Sequence, residues 1–281
     1  MSEHLPETLA PARVVDVTRV SADGVSRTTD MAATEEPLDV RLHGQSFAVI
    51  MRTPGRDREL AAGFLMSERV IRSADDLGAV EHCRHPDQRR AHHVVDVFLR
   101  GGAASRVPAL LEGRRQVVAN SSCGVCGRAT IEELAADIVP LGSRPPVHVD
   151  VLRGLPDRLR TTQRTFTETG GLHGVALFSA AGDLIGSAED VGRHNAVDKV
   201  FGALLLADEA GPDPAVLVVS GRVSFEIVQK AWIGGVAIVV AISAPTSLAI
   251  ELAHEAGIAL LGFVRGANLN IYTHTARIAG V

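Results

Sequence analysis

The sequence predicts an α/β protein in which a layered C-terminal α/β domain follows a smaller N-terminal α+β domain. Two observations predict this division. After residue 146, continuous apolar strands alternate with helices, which is typical of a largely parallel sheet covered by helices. Before residue 143, short alternating apolar stretches surround one helical segment. The proline-containing residues 143–146 are the expected linker, so residues 13–143 and 144–281 form the two predicted domains after a flexible tail of residues 1–12.

The N-terminal unit is predicted to mix short strands with one helix. The expected elements are a helix at residues 59–68 and strands at residues 39–42, 47–51, 92–99 and 116–119. The last strand leads into a loop with two cysteines. After that loop, Thr130 and Glu133 form a Thr-x-x-Glu capping box, which predicts that a further helix begins there.

The C-terminal unit is predicted to open with a β-hairpin, because residues 174–179 and 184–188 are apolar and residues 180–183 suit a turn. Helices and strands then alternate to the end of the chain. The expected helices are residues 194–206, 223–233 and 246–256, and the expected strands are residues 215–219, 236–242, 258–263 and 268–272.

Composition excludes several classes of protein. The formal net charge of −5 argues against general nucleic-acid binding, which usually requires a basic excess. The longest apolar run, residues 236–244, is too short to span a bilayer, and the polar start of the chain resembles no signal peptide. Three cysteines make no disulfide framework and favour a reducing compartment. We therefore expect a soluble cytoplasmic protein that has neither a nucleic acid nor a membrane as partner.

Cys123 and Cys126 form a Cys-x-x-Cys loop rich in glycine. The loop precedes the helix predicted at Thr130, and Arg128 lies two residues beyond it. A helix N-terminus and a neighbouring cation both favour thiolate over thiol. The spacing therefore predicts a nucleophilic cysteine, while Cys83 is expected to be a lone buried thiol.

Four interpretations of the loop stay open on its residues alone. A dithiol–disulfide oxidoreductase uses this spacing, although usually near the start of a βαβ unit. The second interpretation is a non-catalytic zinc-binding or cofactor-binding module. A zinc site would need ligands besides the two cysteines, and four upstream histidines could supply them: His82, His85, His92 and His93. The third is sulfur relay, which needs one strong nucleophile, and the fourth is a structural cysteine pair.

Three strand ends in the C-terminal unit carry residues suited to a phosphate-bearing ligand. Ligands of open α/β sheets bind beyond the carboxyl ends of the strands, where helix N-termini offer amides to anions. The first strand end is Ser220, Gly221 and Arg222, the second is residues 243–247, and the third is residues 265–268. Because serine, glycine and asparagine are also ordinary turn residues, each strand end is suggestive only together with the others.

Residues 189–195 concentrate polar groups at the start of a predicted helix. Arg193, His194 and Asn195 are interpreted as lining the same pocket, with helix capping by Asp190 or Asn195 as the structural alternative. His173 is predicted to be a structural histidine whose hydrogen bonds are satisfied.

Five motifs together resemble the family of formate dehydrogenase accessory proteins, the sulfur carrier FdhD. They are SSCGVCG at residues 121–127, ETGGLH at 168–173, EDVGRHNAVDK at 189–199, SGRVSFE at 220–226 and GFVRGAN at 262–268. The resemblance implies a sulfurtransferase that takes persulfide sulfur from a cysteine desulfurase. It passes that sulfur to the molybdenum cofactor, bis(molybdopterin guanine dinucleotide), before the cofactor enters formate dehydrogenase.

The resemblance also implies roles for particular residues. Cys123 corresponds to the persulfide cysteine and Cys126 to the second cysteine of the pair. The cofactor-binding stretch corresponds to Phe263, Val264, Arg265, Gly266, Ala267 and Asn268, where a guanine nucleotide such as GDP would also bind. A homodimer without a bound metal of its own is implied as well.

The resemblance further implies a C-terminal domain with a cytidine-deaminase-like fold. Zinc deaminases carry His-x-Glu before Pro-Cys-x-x-Cys. Here the only Cys-x-x-Cys precedes the C-terminal unit, and Gly174 and Val175 follow His173. We therefore expect the fold without deaminase activity.

Overall fold

The computed structural model describes residues 10–83, 92–114, 139–207 and 213–281. It begins with a two-stranded antiparallel ribbon, β1 (Ala12–Ser21) and β2 (Gly24–Ala33). A four-stranded sheet follows, in the order β4-β3-β6-β5, in which β3 and β6 run parallel. Its strands are β3 (Glu36–Leu42), β4 (Gln45–Arg52), β5 (Leu77–His82) and β6 (Val94–Leu99).

Within residues 57–83 and 92–114, three helices accompany the four-stranded sheet. They are α1 (Asp57–Ser67), α2 (Gly101–Ser105) and α3 (Val107–Arg114), with a short 3₁₀ turn at Ala74–Asp76. Helix α1 matters most for the architecture because most of its residues are buried, on the side facing the sheet and on the side facing the C-terminal unit.

The C-terminal unit is built on a six-stranded sheet in the order β13-β12-β11-β10-β8-β9. Strands β10, β11 and β12 are parallel, whereas β8, β9 and β13 pair antiparallel with their neighbours. The strands are β8 (His173–Phe178), β9 (Leu184–Asp190), β10 (Val216–Val219), β11 (Ile238–Ala241), β12 (Ala259–Arg265) and β13 (Asn268–Ile271). A two-residue pair, β7 (Val147–His148) and β14 (Ile278–Ala279), closes the unit.

Helices cover both faces of this sheet. They are α4 (Val149–Thr162), α5 (Arg164–Thr169), α6 (Arg193–Leu205), α7 (Phe225–Ile233) and α8 (Ser247–Glu255), and a 3₁₀ turn at Thr275–Arg277 comes before β14. Alternation along β10 separates the two layers: Val216 and Val218 pack in the core beneath α4, while Leu217 and Val219 pack in the core on the other face. A strand buried on both faces must be apolar throughout, which explains its sequence.

The two units share one core. The larger hydrophobic cluster contains Leu38 and Leu65 from the N-terminal unit and Leu217 and Val239 from the C-terminal sheet. Helices α1 and α6 cross at glycines, so closely that a Cβ on Gly63 would lie 1.9 Å from the carbonyl oxygen of Asp198. A Cβ on Gly202 would lie 1.8 Å from the carbonyl oxygen of Glu59. The glycines therefore permit backbone-to-backbone contact between the units.

The predicted fold class is confirmed, and the C-terminal elements match their predicted positions to within about two residues at most ends. The division into two domains stays a prediction, although β1 already begins at Ala12, inside the expected tail. Helices α4 and α5 and the ribbon β1–β2 were not predicted. The strand expected at residues 116–119 and the helix expected at Thr130 lie outside the described residues. No helix within the described ranges is long and apolar enough to cross a membrane.

Candidate functional site

One edge of the six-stranded sheet gathers all of the polar segments singled out in the C-terminal unit. Because β10, β11 and β12 are parallel, their carboxyl ends meet there. Strand β8 runs antiparallel to β10 and β9 antiparallel to β8, so the start of β8 and the end of β9 lie at the same edge. The segments around His173, Arg193, Ser220, Ser243 and Arg265 are thereby brought side by side.

Backbone hydrogen bonds join these segments to one another. The amide of Ser220 donates to the carbonyl of Gly174 at 2.9 Å, and the amide of Gly174 donates to the Ser220 hydroxyl at 2.9 Å. The amide of Val223 donates to Ala244 at 3.1 Å, and that of Phe263 donates to Ser243 at 3.1 Å. The edge is therefore a connected surface with fixed spacing between its loops.

A cavity of about 210 Å³ opens at the β9 end of this edge. It lies between the start of helix α6 and the N-terminal unit, and its lining is mostly polar: Glu35, Met51, His173, Val191, Gly192, Arg193, His194 and Asn195. Both predicted residues His194 and Asn195 line it, and Arg193 lies beside them. Glu35 and Met51 were missed by sequence reasoning, since nothing local marks them as neighbours of residues far along the chain.

His194 is held by two residues at the start of helix α7. Its Nε2 lies 3.2 Å from the Ser224 hydroxyl and 3.7 Å from a carboxylate oxygen of Glu226. The Ser224 hydroxyl is therefore within hydrogen-bonding distance of the imidazole of His194.

Burial and positive neighbours keep His194 neutral. Desolvation, followed by the charges of Lys230 and Arg193, lowers the pKa of His194 to about 4, although the carboxylate of Glu226 opposes this. Burial disfavours ionisation of Glu226, yet hydrogen bonds from Ser224 and from its own amide hold the pKa of Glu226 below its usual range. At neutral pH the pair is therefore an imidazole beside a carboxylate.

We expect His194 to make the free energy of unfolding depend on pH between about 4 and 6.5. Folding lowers the pKa of His194. Its neutral ring therefore contributes fully to the free energy of unfolding above the pKa of the unfolded chain, and this contribution is lost as pH falls toward 4. The drop of roughly 2.5 pKa units corresponds to about 3 kcal/mol. Urea unfolding at pH 7, 5.5 and 4 should therefore show a steeper loss of stability in the wild-type protein than in His194→Gln, which keeps a donor for Ser224. Parallel losses in the two proteins would contradict the assignment.

His173 does not have the satisfied structural role that its sequence context suggested. Its ring lines the cavity, and no hydrogen bond joins it to another described residue. A Cβ on Gly221 would come within 3.2 Å of the His173 Nδ1, so only glycine at position 221 leaves the ring this much room. Burial, followed by the charge of Arg193, lowers the pKa of His173, and Arg222 adds to the effect. A second neutral imidazole thus faces the cavity.

Asn195 lines the cavity, but its amide group already has partners in the protein. Its Nδ2 donates to the Met51 carbonyl at 2.8 Å and to Asp190 at 2.9 Å. The buried Asp190 also pairs with Lys199 at 2.7 Å, and Lys199 donates to the Thr53 carbonyl at 2.8 Å. Asn195 therefore joins the two units across the cavity, and only its side-chain oxygen is left for a ligand.

The other predicted residues extend along the edge away from the cavity. Ser220 is hydrogen-bonded to Gly174, Gly221 lies against His173, and Arg222 is exposed beside them. None of the predicted residues of the β12–β13 hairpin lines the cavity: Phe263, Val264, Arg265, Gly266, Ala267 and Asn268. Between that hairpin and the cavity lie the loops that follow β10 and β11.

The β12–β13 hairpin presents most of its predicted residues to solvent. Phe263 has a left-handed backbone, with φ of 53°, and 42% of it is exposed. The Nε of Arg265 donates to the Ile242 carbonyl at 3.0 Å, which anchors the guanidinium at the end of β11. Val264, in contrast, is completely buried in the core beneath α4. A ligand could therefore touch only the backbone of Val264, and its part in cofactor binding stays a prediction.

The cysteine predictions fall mainly on parts of the chain without a structural description. Cys123 and Cys126 lie outside the described residues, as does His85. Cys83 is described and is half-buried, not buried as expected, because it follows β5 at the edge of the four-stranded sheet. His82 and His92 pack edge to face at 6.1 Å, but the described residues contain no cluster of three metal-binding side chains.

Comparison with known proteins gives consistent matches over nearly the whole chain. The family model for the FdhD/NarQ family matches residues 33–279. Sulfur carrier protein FdhD of Anaeromyxobacter dehalogenans is 44% identical over 99% of this chain and 98% of its own. The protein of the same name from Streptomyces coelicolor is 45% identical over 94% of both chains.

A solved structure shares the fold. The crystal structure of a protein from Desulfotalea psychrophila, named as a formate dehydrogenase accessory protein, superposes with a TM-score of 0.74. The match covers 96% of this chain and 100% of the other, at 22% sequence identity. At that identity the likeness concerns the fold alone.

Proposed function

The chain belongs to the FdhD/NarQ family, and on that premise we propose that it carries sulfur for the maturation of formate dehydrogenase. The observation that supports this best is the full-length match to relatives named as sulfur carriers, together with the Cys-x-x-Cys loop. The proposed donor is a cysteine desulfurase, and the proposed recipient is the molybdenum cofactor of formate dehydrogenase. A homodimer belongs to the same proposal.

Cys123 is the proposed sulfur carrier. Its thiolate attacks the outer sulfur of a persulfide on the desulfurase, so a new S–S bond forms on Cys123 and the desulfurase cysteine leaves as a thiolate. The exchange moves one sulfur atom without net oxidation or reduction. The sequence predicts a helix that begins at Thr130 and places Arg128 near Cys123, and both would raise the thiolate fraction that this attack requires.

Cys126 is the proposed source of electrons for delivery. Release of the outer sulfur of a persulfide as sulfide consumes two electrons. Attack of the Cys126 thiolate on the Cys123 sulfur supplies them, because it forms a Cys123–Cys126 disulfide and frees sulfide for the molybdenum of the cargo. External thiols would then reduce the disulfide and restore the pair.

The sheet edge is the proposed docking surface for the cargo. Bis(molybdopterin guanine dinucleotide) carries guanine nucleotides at its ends, and the β12–β13 hairpin exposes an aromatic ring, a guanidinium and an amide in Phe263, Arg265 and Asn268. Aromatic stacking and bidentate arginine contacts suit a base and a phosphate. GDP would occupy the same segment.

The decisive experiment is mass spectrometry after incubation with a cysteine desulfurase and cysteine. We expect the peptide containing Cys123 to gain the mass of one sulfur atom, and Cys123→Ser to abolish this gain. Cys126→Ser should load sulfur but release almost none as sulfide, since no second thiol can close the disulfide.

Cys83→Ser is the matched control, because Cys83 is half-buried and should load no sulfur. Sulfur gained by the Cys123→Ser protein would contradict the proposal. A Cys123–Cys126 disulfide without any sulfur gain would indicate a dithiol oxidoreductase, and stoichiometric zinc on the purified protein would indicate a metal-binding module.

A further inference from the structure

Arg193 forms no close ion pair with any described residue, although its charge attracts the nearby carboxylate of Glu226. It is the first residue of helix α6 and lines the cavity. Its guanidinium makes neither an ion pair nor a hydrogen bond with the described parts of the protein, and its Nε is shielded from solvent without an acceptor. Since a buried donor without an acceptor is unfavourable, the arrangement indicates a partner that comes from outside.

The start of helix α6 adds further donors to the same place. Gly192 is the N-cap, and no side chain in the described part of the protein caps the helix. The first-turn amides of Arg193, His194 and Asn195 have no acceptor among the described residues, because the first intrahelical bond is donated by Ala196. Free amides and the helix dipole favour an anion at this position. All three amides belong to residues that line the cavity.

The charges around the two imidazoles decide between an anion and a metal cation. Two neutral histidines could bind a metal, but no third ligand accompanies them among the described side chains. Arg193 and Lys230 act on His194, and Arg193 and Arg222 act on His173, so a cation would be repelled. Of the acids nearby, Asp190 pairs with Lys199, and Glu35 lies open to water, which screens its charge. Glu226 lies 3.7 Å from Nε2 of His194 and is attracted by Arg193.

The cavity is small for a complete nucleotide. Sites for drug-sized ligands measure roughly 300–1,000 Å³, whereas this one measures about 210 Å³. A phosphate group with its shell of donors fits such a volume. The cavity is also separate from the β12–β13 hairpin, because β10 and β11 lie between β8 and β12, which corresponds to three strand spacings or about 14 Å.

We propose that this cavity binds a phosphate group, held by the Arg193 guanidinium and the first amides of helix α6, with the rings of His173 and His194 as its walls. The inference goes beyond the proposed function, because it needs neither the cysteine loop nor the guanine-binding hairpin. The phosphate group comes either as free inorganic phosphate or as part of a nucleotide that reaches across the edge of the sheet.

Calorimetric titration of the full-length protein with inorganic phosphate tests this proposal. We expect Arg193→Met to weaken phosphate binding at least tenfold and Arg193→Lys to weaken it less, since lysine keeps the charge but loses the planar fork. Arg19→Met, on the exposed strand β1 and outside the cavity lining, should bind phosphate like the wild-type protein. In nuclear magnetic resonance spectra, the amide signals of residues 193–195 should shift as phosphate is added.

Titration with GDP distinguishes the two sources of the phosphate group. Weakened GDP binding in both Arg193→Met and Arg265→Ala would show that one nucleotide spans both sites. Weakened phosphate binding with unchanged GDP binding in Arg193→Met would identify free phosphate as the ligand. Both outcomes support the site.

Two results would overturn the proposal: no phosphate binding by the wild-type protein, or equal phosphate affinity in wild type and Arg193→Met. Thermal unfolding of each variant shows whether it is folded, and Arg193→Lys covers the case in which Arg193→Met is not. Sulfur loading of Cys123 in the same preparations reports on the sulfur-carrier function independently. A protein that loads sulfur but binds no phosphate contradicts this inference alone.

Discussion

Replacing Gly202 by alanine is expected to lower the free energy of unfolding by about 3 kcal/mol, at the upper end of the usual range for overpacking. The added methyl would lie 1.8 Å from the backbone oxygen of Glu59, and a backbone atom in helix α1 cannot move aside as a flexible side chain can. Helices α1 and α6 must therefore separate. For a chain of this length we expect the midpoint of thermal unfolding to fall by about 6–12 °C, measured by circular dichroism.

Gly154→Ala is the matched control for this prediction. Gly154 lies within helix α4, and a Cβ there would meet nothing within 4 Å. Alanine should stabilise that helix by about 0.5–1 kcal/mol. Gly63→Ala should behave like Gly202→Ala, because its methyl would lie 1.9 Å from the oxygen of Asp198. An unchanged midpoint for Gly202→Ala would mean that the helices do not approach each other this closely.

The same helix contact supports the candidate site. Helix α6 begins at Arg193 and continues through Gly202, while α1 follows β4, which contributes Met51 to the cavity. A shift between α1 and α6 therefore moves the two walls of the cavity relative to each other. Two hydrogen bonds between the units hold the same alignment: one from Asn195 to Met51 at the cavity, and one from the buried Lys199 to Thr53. Stability at the helix crossing and geometry at the site are thus coupled.

Much of the C-terminal fold could be predicted because its signals are local. The strands are continuous apolar runs such as Val216–Val219, and the helices between them have turn residues at their ends. Parallel strands bring their carboxyl ends together, so the proximity of Ser220 and Ser243 followed from topology alone. Local pattern and overall topology agree in this half of the chain.

The cavity could be predicted only in part, because its walls come from segments far apart in the chain. Glu35 belongs to the connection between β2 and β3, and no pattern in residues 30–40 indicates a neighbour near position 193. The position of Lys230 behind His194 likewise depends on how helix α7 packs against α6. Gly63 and Gly202 read as weak helix residues, and only the helix crossing explains why glycine occupies both positions.

Lys230→Met is expected to lower the free energy of unfolding by about 3–5 kcal/mol, because it leaves a buried carboxylate without its counter-ion. Lys230 on α7 contacts both carboxylate oxygens of Asp198 on α6, at 2.7 and 2.8 Å, and Ser67 at the end of α1 donates to Asp198 at 2.7 Å. Three helices therefore meet at one ion pair. Urea unfolding at pH 7 measures the loss.

A double-mutant cycle separates the cost of an unpaired charge from lost packing. Asp198→Asn with Lys230→Met removes both charges and should recover at least half of the stability that Lys230→Met loses. Burial already raises the pKa of Asp198, against the attraction of Lys230 and the hydrogen bonds from Lys230 and Ser67; nearby Asp190 raises it further. Without Lys230 the pKa of Asp198 in the folded protein rises further. A raised folded-state pKa stabilises the folded protein at low pH, and this stabilisation is lost as pH rises through that pKa. The loss of stability in Lys230→Met should therefore become smaller as pH falls from 7 toward 5. A loss that stays constant with pH would mean that Lys230 acts through packing of its alkyl chain. A double mutant as unstable as Lys230→Met would mean the same.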